Sequence, residues 1–403
     1  MVNSCKINIR EFGPIQKGTG GRFIDIPKFT FLVGAQGSGK SSLAKLISEF
    51  SWLEKALVRG EVRSSDLIRK NRFKNYYCAY HRISSYFRAE TEIAYEGEYY
   101  RFLFENDAFQ VEKKDIEYFD LPKILYIPAE RNVIGIMEKS GMAKFFPESL
   151  RTFWEEYEEA CTQVKNDLVL PVDEVRFTYD RLNKISWING PSFHTRLSES
   201  ASGFQSLVPL FVVSNYLEEV VTRDLSRPGI EPAILAKIQK AVDEIMKNPK
   251  LTDEVQKAAL ENLSSRFRYS HFINIVEEPE LNLYPVSQRN LLQELVRLAN
   301  DLPGNRLIVT THSPYILSAL NNLLYAGQVG YRQRNEVAEI IPAMYWLSSE
   351  QTMAYTMDNG CIESIMNDEL QQIEAERIDG ISVALNEQYE QLLDIDVAHE
   401  NYR

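Results

Sequence analysis

Residues 34–41 read Gly-Ala-Gln-Gly-Ser-Gly-Lys-Ser, and this octapeptide decides how the rest of the chain is interpreted. It fits the pattern G-x-x-x-x-G-K-[S/T] in full. The apolar run FTFLV stands before it and the helical pattern SLAKLI follows it, as that pattern requires. Glycines allow backbone N–H groups to curl around a phosphate, and a helix N-terminus adds partial positive charge. The stretch therefore predicts a site for the phosphates of a nucleoside triphosphate, which we call the phosphate-binding loop.

The loop supplies side chains with separate tasks. Lys40 is expected to reach the β- and γ-phosphates, and Ser41 to ligate Mg²⁺, so the expected cofactors are ATP and Mg²⁺. A chance glycine-rich turn is the alternative, which the complete match disfavours. The predicted ATP-binding residues are Gly34, Gln36, Gly37, Ser38, Gly39, Lys40, Ser41 and Ser42.

A second stretch, residues 271–280, reads His-Phe-Ile-Asn-Ile-Val-Glu-Glu-Pro-Glu, an apolar strand that ends in carboxylates. Paired glutamates after a strand are most often only a polar strand end. Beside a phosphate-binding loop they favour a nucleotide site. Glu277 is then expected to hold Mg²⁺ through water, and Glu278 to polarise the attacking water as general base.

The third stretch, residues 306–314, reads Arg-Leu-Ile-Val-Thr-Thr-His-Ser-Pro. Ligands of open α/β sheets bind at the carboxyl ends of the strands. His312 follows such a strand, so we expect it to contact the γ-phosphate and to keep the water and Glu278 in register. A single histidine is usually structural, but this position favours a catalytic one.

The order of these motifs carries a resemblance, together with Ser-Ala-Ser-Gly-Phe-Gln-Ser at residues 200–206 (the signature segment), which opens a helical pattern. From residue 1 to about 325 the chain resembles the ABC-type ATPase heads. It is most similar to the SMC-like and OLD-like AAA branch, whose acidic motif reads E-E-P-E. The resemblance implies ATP sandwiched between two protomers, with Ser202, Gly203 and Gln205 acting in trans on the partner's nucleotide.

Two positions depart from the wider family pattern. Phe204 stands in place of the second signature glycine, and Glu277 stands where an aspartate is usual, although glutamate is normal for this branch. Residues 126–132, YIPAERN, resemble a loop of the same branch that lies near the nucleotide. We carry Arg131 over to the site on this basis, with a structural ion pair between Arg131 and Glu130 as the alternative.

The expected fold class is α/β: a P-loop NTPase, ABC-type two-lobed head with a mixed central sheet flanked by helices and a β-rich lobe. The apolar runs at 271–278 and 306–312 suit parallel central strands. We expect a single head over residues 1–403. Its predicted additions are a basic, β-containing, arm-like insertion at 59–113, a helical insertion at 222–268 and an acidic, mainly helical C-terminal extension at 326–403.

The formal charge of −12 excludes a uniformly basic nucleic-acid binder. The charge is polarised, however, with 16 Lys and Arg against 10 Asp and Glu in residues 1–100, and 2 against 13 in residues 350–403. Residues 59–88 interleave basic and aromatic side chains, which suits DNA or a protein that mimics its charge. A merely solvated surface is the alternative. The acidic residues at 350–403 are a candidate docking site for a basic partner, with a solvated surface again as the alternative. The candidate partner surface comprises Arg63, Arg69, Lys70, Arg72 and Lys74, with Arg59, Arg82, Arg88, Phe73, Tyr76, Tyr77 and Tyr80 in the same stretch.

The cysteines and the apolar runs limit the possible cellular location of the protein. The four cysteines stand singly, which indicates neither a zinc site nor a disulfide framework. The first residues lack the apolar core of a signal peptide, and no run approaches the roughly 18 apolar residues of a membrane span. We therefore expect a cytoplasmic protein with no membrane partner.

Spacing narrows the choice among related ATPases. The 74 positions from Gly203 to Glu277 disfavour an ABC transporter subunit, and the absence of heptads and a C-x-x-C hook disfavours a true SMC protein. An OLD-type nuclease needs a TOPRIM domain, for which the 91 residues after His312 are too few. Asp394 and Asp396 lie in a helical pattern and are interpreted as helix surface.

The chain thus resembles a stand-alone head, most like the ATPase component of a bacterial anti-phage defence system of the PARIS type. This resemblance implies a sensor and scaffold that hydrolyses ATP slowly, forms a homo-oligomer and controls a separate TOPRIM or nuclease-like effector. A phage trigger protein or DNA is the expected partner of its basic surface. The alternative is a RecF-like or SMC-like DNA repair or recombination ATPase that binds DNA directly.

Overall fold

The computed structural model describes most of the chain. The described residues are 5–116, 120–137, 140–165, 167–172, 174–225, 240–242, 244, 245, 252, 255, 268–374 and 386–392. Most of the predicted helical insertion at 222–268, together with Asp394 and Asp396, lies outside them.

Seventeen strands form four sheets within the described ranges. In chain order they are β1 (Cys5–Phe12), β2 (Ile24–Ile26), β3 (Phe29–Val33), β4 (Phe87–Glu96), β5 (Tyr100–Glu105), β6 (Ala108–Lys113), β7 (Pro122–Ile127), β8 (Leu168–Val169), β9 (Arg176–Asp180), β10 (Ile185–Asn189), β11 (His194–Arg196), β12 (His271–Glu277), β13 (Arg306–Thr311), β14 (Thr352–Asp358), β15 (Cys361–Ser364), β16 (Met366–Asn367) and β17 (Gln372–Ile373).

Helices alternate with these strands along the chain. They are α1 (Lys40–Arg59), α2 (Ser64–Leu67), α3 (Asn132–Ile136), α4 (Glu148–Gln163), α5 (Ser202–Leu225), α6 (Pro285–Asn300), α7 (Pro314–Gly330) and α8 (Arg334–Ile340), with residues 386–392 also helical. Single helical turns stand at Ser84–Tyr86, Ala129–Arg131 and Leu197–Glu199, and a π-helical turn at Phe73–Tyr77.

The six-stranded central sheet has the order β15–β14–β3–β13–β12–β7. Its strands from β14 to β7 are parallel, and β15 adds an antiparallel edge. Every residue of β3, β12 and β13 is buried, as expected for parallel strands covered on both faces. The fold is therefore α/β with a mixed central sheet, as the sequence predicted, and the predicted strands at 271–278 and 306–312 are confirmed.

Successive side chains of the central strands enter two different cores, because side chains alternate along a strand. Phe31 packs with α4, α5, α6 and α7 on one face, whereas Leu32 packs with α1 on the other. The helical pattern that was expected to open at the signature segment is confirmed as α5. Helix α1 consequently lies between the central sheet and a second sheet.

That second sheet is antiparallel, in the order β2–β1–β4–β5–β6, and forms the β-rich lobe. Phe50 of α1 stacks on Tyr95 of β4 and on Phe102 of β5, at ring-centroid distances of 4.8 and 5.5 Å. Glu54 of the same helix accepts backbone N–H bonds from Tyr99 (2.6 Å) and Tyr100 (2.9 Å). The basic, β-containing segment predicted at 59–113 is part of the head rather than an arm: β4 pairs with β1, β5 with β4 and β6 with β5, and Phe73 and Tyr95 stack on Phe50 of α1.

The predicted mainly helical extension at 326–403 also differs from the structure. Helices α7 and α8 occupy its first part, but β14 then enters the central sheet beside β3. A turn at Asn359 and Gly360, with φ of 47° and 76°, reverses the chain into β15, as an Asn-Gly pair favours. The side chains of Ala354, Tyr355 and Met357 anchor β14, because they are buried in the hydrophobic core. Strand faces and a turn therefore carry part of the acidic charge of the segment, at Asp358, Glu363, Asp368 and Glu369.

Candidate nucleotide-binding site

Four neighbouring strands of the central sheet end at one edge, and the predicted site residues lie at or directly after these strand ends. The phosphate-binding loop follows β3, and His312 follows β13. The acidic motif at residues 277–280 ends β12, and the turn at Ala129–Arg131 follows β7. Since these strands are adjacent and parallel, residues almost 280 positions apart in the chain reach one edge.

The backbone of the phosphate-binding loop requires glycine at two positions. Gly34 has φ of 150°, and a Cβ there would lie 2.4 Å from the carbonyl oxygen of Met357. Gly39 has φ of 106° and caps α1, and a Cβ there would lie 2.8 Å from Cγ1 of Ile15. The left-handed conformation and these close approaches together exclude a side chain. Residues 35–37 at the tip of the loop are exposed.

Lys40 is folded back onto its own loop. Its Nζ donates to the carbonyl oxygens of Gly34 (2.7 Å) and Ala35 (2.8 Å), and the residue is 4% exposed. Burial lowers the pKa of Lys40, and the charges of Glu278, Glu280 and Glu277 oppose that shift. The ammonium group is thus held beside the acidic motif, at the place where phosphate oxygens are its natural acceptors.

The N-terminus of α1 is open to an anion. No side chain caps it, and its first turn carries no acidic residue. Free N–H groups and the helix dipole favour negative charge at such an end. Ser38 adds a buried hydroxyl with no hydrogen-bond partner in the part of the chain that the structure describes, and Ser41 is partly exposed in the first turn of the helix.

Glu277 presents one orphaned carboxylate oxygen. The residue is 2% exposed; its Oε2 accepts from the backbone N–H of Ala129 (3.2 Å), whereas its buried Oε1 has no geometrically formed hydrogen bond to a described residue, and the buried hydroxyl of Tyr126 lies beside this carboxylate. A buried carboxylate oxygen without a donor costs free energy unless a cation or water satisfies it. Hard oxygen ligands of this kind suit Mg²⁺, so Glu277 and Ser41 fit the role that the sequence predicts for them.

Glu278 is held in an unusual backbone conformation, with φ of 43°. Its N–H donates to the carbonyl oxygen of Thr310 (2.9 Å), and its own carbonyl accepts from Nη2 of Arg131 (2.7 Å). Non-glycine residues in this region are strained and persist where neighbouring contacts enforce them. The result is a carboxylate that is 23% exposed and lies next to the His312 ring.

His312 lies between two carboxylates. Its Nδ1 is 3.4 Å from Oε1 of Glu280 and 3.8 Å from Oε1 of Glu278, and half of the side chain is exposed. Glu280 Oε1 also accepts from the hydroxyl of Thr311 and the backbone N–H of His312, both at 2.8 Å. Glu280 therefore fixes the start of the turn that carries His312. Glu280 had no predicted role, although it is the last acid of the E-E-P-E motif.

Arg131 joins its own turn to two distant segments through their main chain. Its fully buried guanidinium donates to the carbonyl oxygens of Ser206 (2.9 Å), Glu277 (2.6 Å) and Glu278 (2.7 Å). Burial lowers the pKa of Arg131 to about 10, against the favourable charges of the three nearby glutamates. The alternative ion pair with Glu130 is wrong, because Glu130 pairs with Arg82 (3.1 Å).

The signature segment begins α5 and contacts the acidic motif of its own chain. Asn282 donates through Nδ2 to the hydroxyl of Ser206 (3.1 Å), and a Cβ on Gly203 would lie 2.8 Å from the carbonyl oxygen of Asn282. Ser202 is exposed at the helix start. Gln205 is committed internally, since its Nε2 donates to the carbonyl oxygens of Ser198 and Ser200.

Only some residues of the stretch that contains the candidate partner surface are exposed. Arg63 and Lys70 are exposed; Arg69 has a 72% exposed side chain and pairs with Asp66 (2.9 Å). The guanidinium of Arg72 lies 3.7 Å from the ring centroid of exposed Tyr76, while Lys74 lies against the ring of Phe87. Three other members of the stretch are buried and leave this surface: Arg59, Phe73 and Tyr77.

Comparisons with known proteins give distant likenesses. A family described as "AAA domain, putative AbiEii toxin, Type IV TA system" matches residues 273–318, which include the acidic motif and His312. An SMC head domain from Thermotoga maritima is 11% identical, with 90% of this chain and 98% of that chain covered and a TM-score of 0.38. An ATP-binding cassette of an ABC transporter in its ADP conformation is also 11% identical, with 92% and 94% covered and a TM-score of 0.30.

A search of curated proteins finds no match to this chain. Within the described residues, no helix combines the length and the apolar character that a membrane crossing needs.

Proposed function

We propose that this protein is an ATP-binding and ATP-hydrolysing head of the ABC type, whose active site is completed by a second copy. One observation carries the proposal: the phosphate-binding loop, the orphaned oxygen of Glu277 and the Glu278–His312 pair meet at one edge of the sheet. Each of these elements has a separate task in phosphoryl transfer to water, and together they leave no step without a candidate residue.

Binding starts at the phosphate-binding loop. The open N-terminus of α1 and the loop N–H groups receive the β-phosphate, and Lys40 exchanges its two carbonyl acceptors for phosphate oxygens. Ser41 and Glu277 are the residues that would hold Mg²⁺. When bound, that ion neutralises charge on the phosphates.

The water that attacks the γ-phosphate needs a base and a fixed position. Glu278 is the base, since its carboxylate is partly exposed and its backbone is fixed on both sides. His312 donates to the γ-phosphate and restrains the water, and Glu280 keeps the His312 turn in place. Positioning and electrostatics supply most of the rate in this type of reaction.

A second copy supplies the remaining contacts. Ser202 is exposed at the N-terminus of the 24-residue helix α5, where its hydroxyl and the first N–H groups can reach a phosphate of another protomer. Gly203 completes this signature contact, whereas Gln205 shapes the segment from within. The protein is then a homo-oligomer through ATP-sandwiched heads.

Glu278→Gln tests the catalytic assignment. The amide cannot accept a proton, so we expect ATP turnover to fall by about 100-fold while ATP affinity stays near that of the wild type. The measurements are phosphate release and ATP titration. Glu130→Gln is the matched control, because Glu130 is an exposed glutamate on the neighbouring turn. Normal turnover by Glu278→Gln would contradict the assignment.

At the level of the cell, we propose a cytoplasmic sensor and scaffold of an anti-phage defence system that controls a separate TOPRIM or nuclease-like effector. The family description that matches residues 273–318 names a toxin–antitoxin system and supports this choice. The test is co-purification of the chain with the products of its neighbouring genes. A nuclease-like protein in the complex supports the proposal, and neighbours devoted to replication contradict it.

The second candidate is a DNA repair or recombination ATPase, and the half-buried Arg72 stacked on exposed Tyr76, beside exposed Arg69 and Lys70, favours it. The discriminating measurement is duplex binding with ATP as a function of salt, because phosphate contacts give a steep slope. Charge reversal of Arg69, Lys70 and Arg72 is expected to spare ATPase activity. Steep wild-type binding that this variant loses would favour the repair role; absence of duplex binding favours a protein trigger at the same surface.

A further inference from the structure

A cavity of about 220 Å³ lies behind the signature segment and outside the nucleotide site. Helix α3, Tyr157 of α4, strand β10 with the turn before it, and residues 196–198 enclose it. A single water needs only about 10–15 Å³ measured in this way. The cavity is therefore large enough for a small organic molecule.

The lining combines an apolar body with a cationic end. Ile134, Leu197 and the ring of Tyr157 are buried in its wall. Lys184 and Arg196 bring two positive charges, and among the described lining residues there is no acidic side chain. Pockets for small ligands are usually apolar with a few convergent polar groups, and guanidinium and ammonium groups pair with carboxylate or phosphate.

The turn that presents Lys184 is built rigidly. Asp180 accepts backbone N–H bonds from Leu182 (3.0 Å) and Asn183 (3.1 Å), and its other oxygen accepts from Nδ2 of Asn183 (2.7 Å). Lys184 itself is in the left-handed conformation, with φ of 55°. Two residues further along, the hydroxyl of Ser186 forms a hydrogen bond with the hydroxyl of Tyr157 at 3.0 Å. These contacts fix polar groups around the cavity in advance of any ligand.

We propose that this cavity binds a small organic anion with an apolar body, and that the bound anion acts on the signature segment. The carbonyl oxygen of Ser198, a lining residue, accepts from Nε2 of Gln205. Gly135, another lining residue, packs so tightly that a Cβ there would lie 2.6 Å from the carbonyl oxygen of Gln205. A ligand in the cavity thus lies beside two residues that contact Gln205.

Binding is tested with phenyl phosphate and benzoate, which carry an anionic group on an aromatic body. Calorimetric titration is carried out on the full chain with Lys40→Ala, so that the phosphate-binding loop does not compete. We expect a Kd below about 1 mM for at least one probe. Phenol and inorganic phosphate are expected to show no binding. The proposed site is overturned if neither probe binds. It is also overturned if inorganic phosphate binds as tightly as the probes do.

Two variants locate the bound anion. Lys184→Asn removes one charge and keeps a residue that tolerates positive φ, and Ser186→Phe fills the cavity. Each is expected to weaken binding at least about 10-fold. Arg181→Gln is the control, since Arg181 is exposed on the same turn and donates to the carbonyl oxygen of Val164 rather than lining the cavity. Unchanged affinity in both variants, at a wild-type melting temperature, contradicts the assignment.

The action on the signature segment rests on the proposed function and is measured separately. In the wild-type chain, a saturating probe is expected to change the ATPase rate at least about 2-fold, and to leave the rate of Lys184→Asn unchanged. Binding without any change in rate contradicts this action. Binding to the Lys40→Ala chain does not depend on hydrolysis, so a failure of the site and a failure of the proposed function give different results.

Discussion

The two ends of the nucleotide site are built differently. At the phosphate-binding end, the loop of residues 34–41 is continuous in sequence, and Lys40 bonds to carbonyls only five and six positions away. At the other end, Arg131 joins the carbonyls of Ser206, Glu277 and Glu278, which come from two distant segments. A local pattern can therefore specify the first end, whereas only the folded chain assembles the second.

We expect the strongest consequence from a substitution that disrupts only the phosphate-binding end of the site. Lys40→Ala removes the one ammonium group of the loop, so we expect ATP affinity to fall at least about 100-fold, the loss of two charge-assisted bonds. Titration with a fluorescent ATP analogue measures it. Lys45→Ala, one turn and a half further along α1, is the control and keeps its affinity. ATP affinity near that of the wild type would remove the phosphate-binding assignment.

Arg131→Lys breaks the other end while keeping the charge. An ammonium group cannot reach three carbonyls as the planar guanidinium does, so we expect the free energy of unfolding to fall by about 2–4 kcal/mol. Turnover should fall about 10-fold, because the backbone at Glu278 loses one of its supports. Chemical denaturation and phosphate release are the measurements.

Arg82→Lys is the matched control, since Arg82 makes an exposed ion pair with Glu130. Exposed pairs contribute little to stability, so its unfolding and turnover should stay near those of the wild type. An Arg131→Lys chain as stable as Arg82→Lys would show that the three carbonyl bonds are dispensable.

This contrast explains what the sequence could and could not predict. Lys40, Glu278 and His312 stand at strand ends in recognisable patterns, so their assembly at one sheet edge followed from parallel strand order. Arg131 was assigned to the site but its partners were not foreseen, because backbone carbonyls leave no mark in a sequence. Strand β14 was taken for part of a helical extension, since its place beside β3 depends on long-range pairing.

A smaller effect, on the pH dependence of stability, is expected from Glu49, which lies on α1 outside both ends of the site. Burial, reinforced by the charge of Glu148, raises the pKa of Glu49 to about 8, above the value of an unfolded chain. Its contribution to stability is complete below the unfolded pKa and is lost as the pH rises through about 8. Glu49→Gln stays neutral, so its melting temperature should fall between pH 6 and pH 9 by about 3 °C less than that of the wild type. Parallel curves would show that Glu49 does not titrate in this range.

Mixing two inactive variants tests most directly the claim that a second copy completes the site. Lys40→Ala lacks a working phosphate-binding loop, and Ser202→Arg blocks the signature contact, so neither should hydrolyse ATP alone. A mixed pair contains one site with an intact loop from the Ser202→Arg chain and an intact signature segment from the Lys40→Ala chain. We predict that the ATPase rate rises on mixing, in proportion to the mixed pairs formed. A mixture no more active than its two components would contradict the claim.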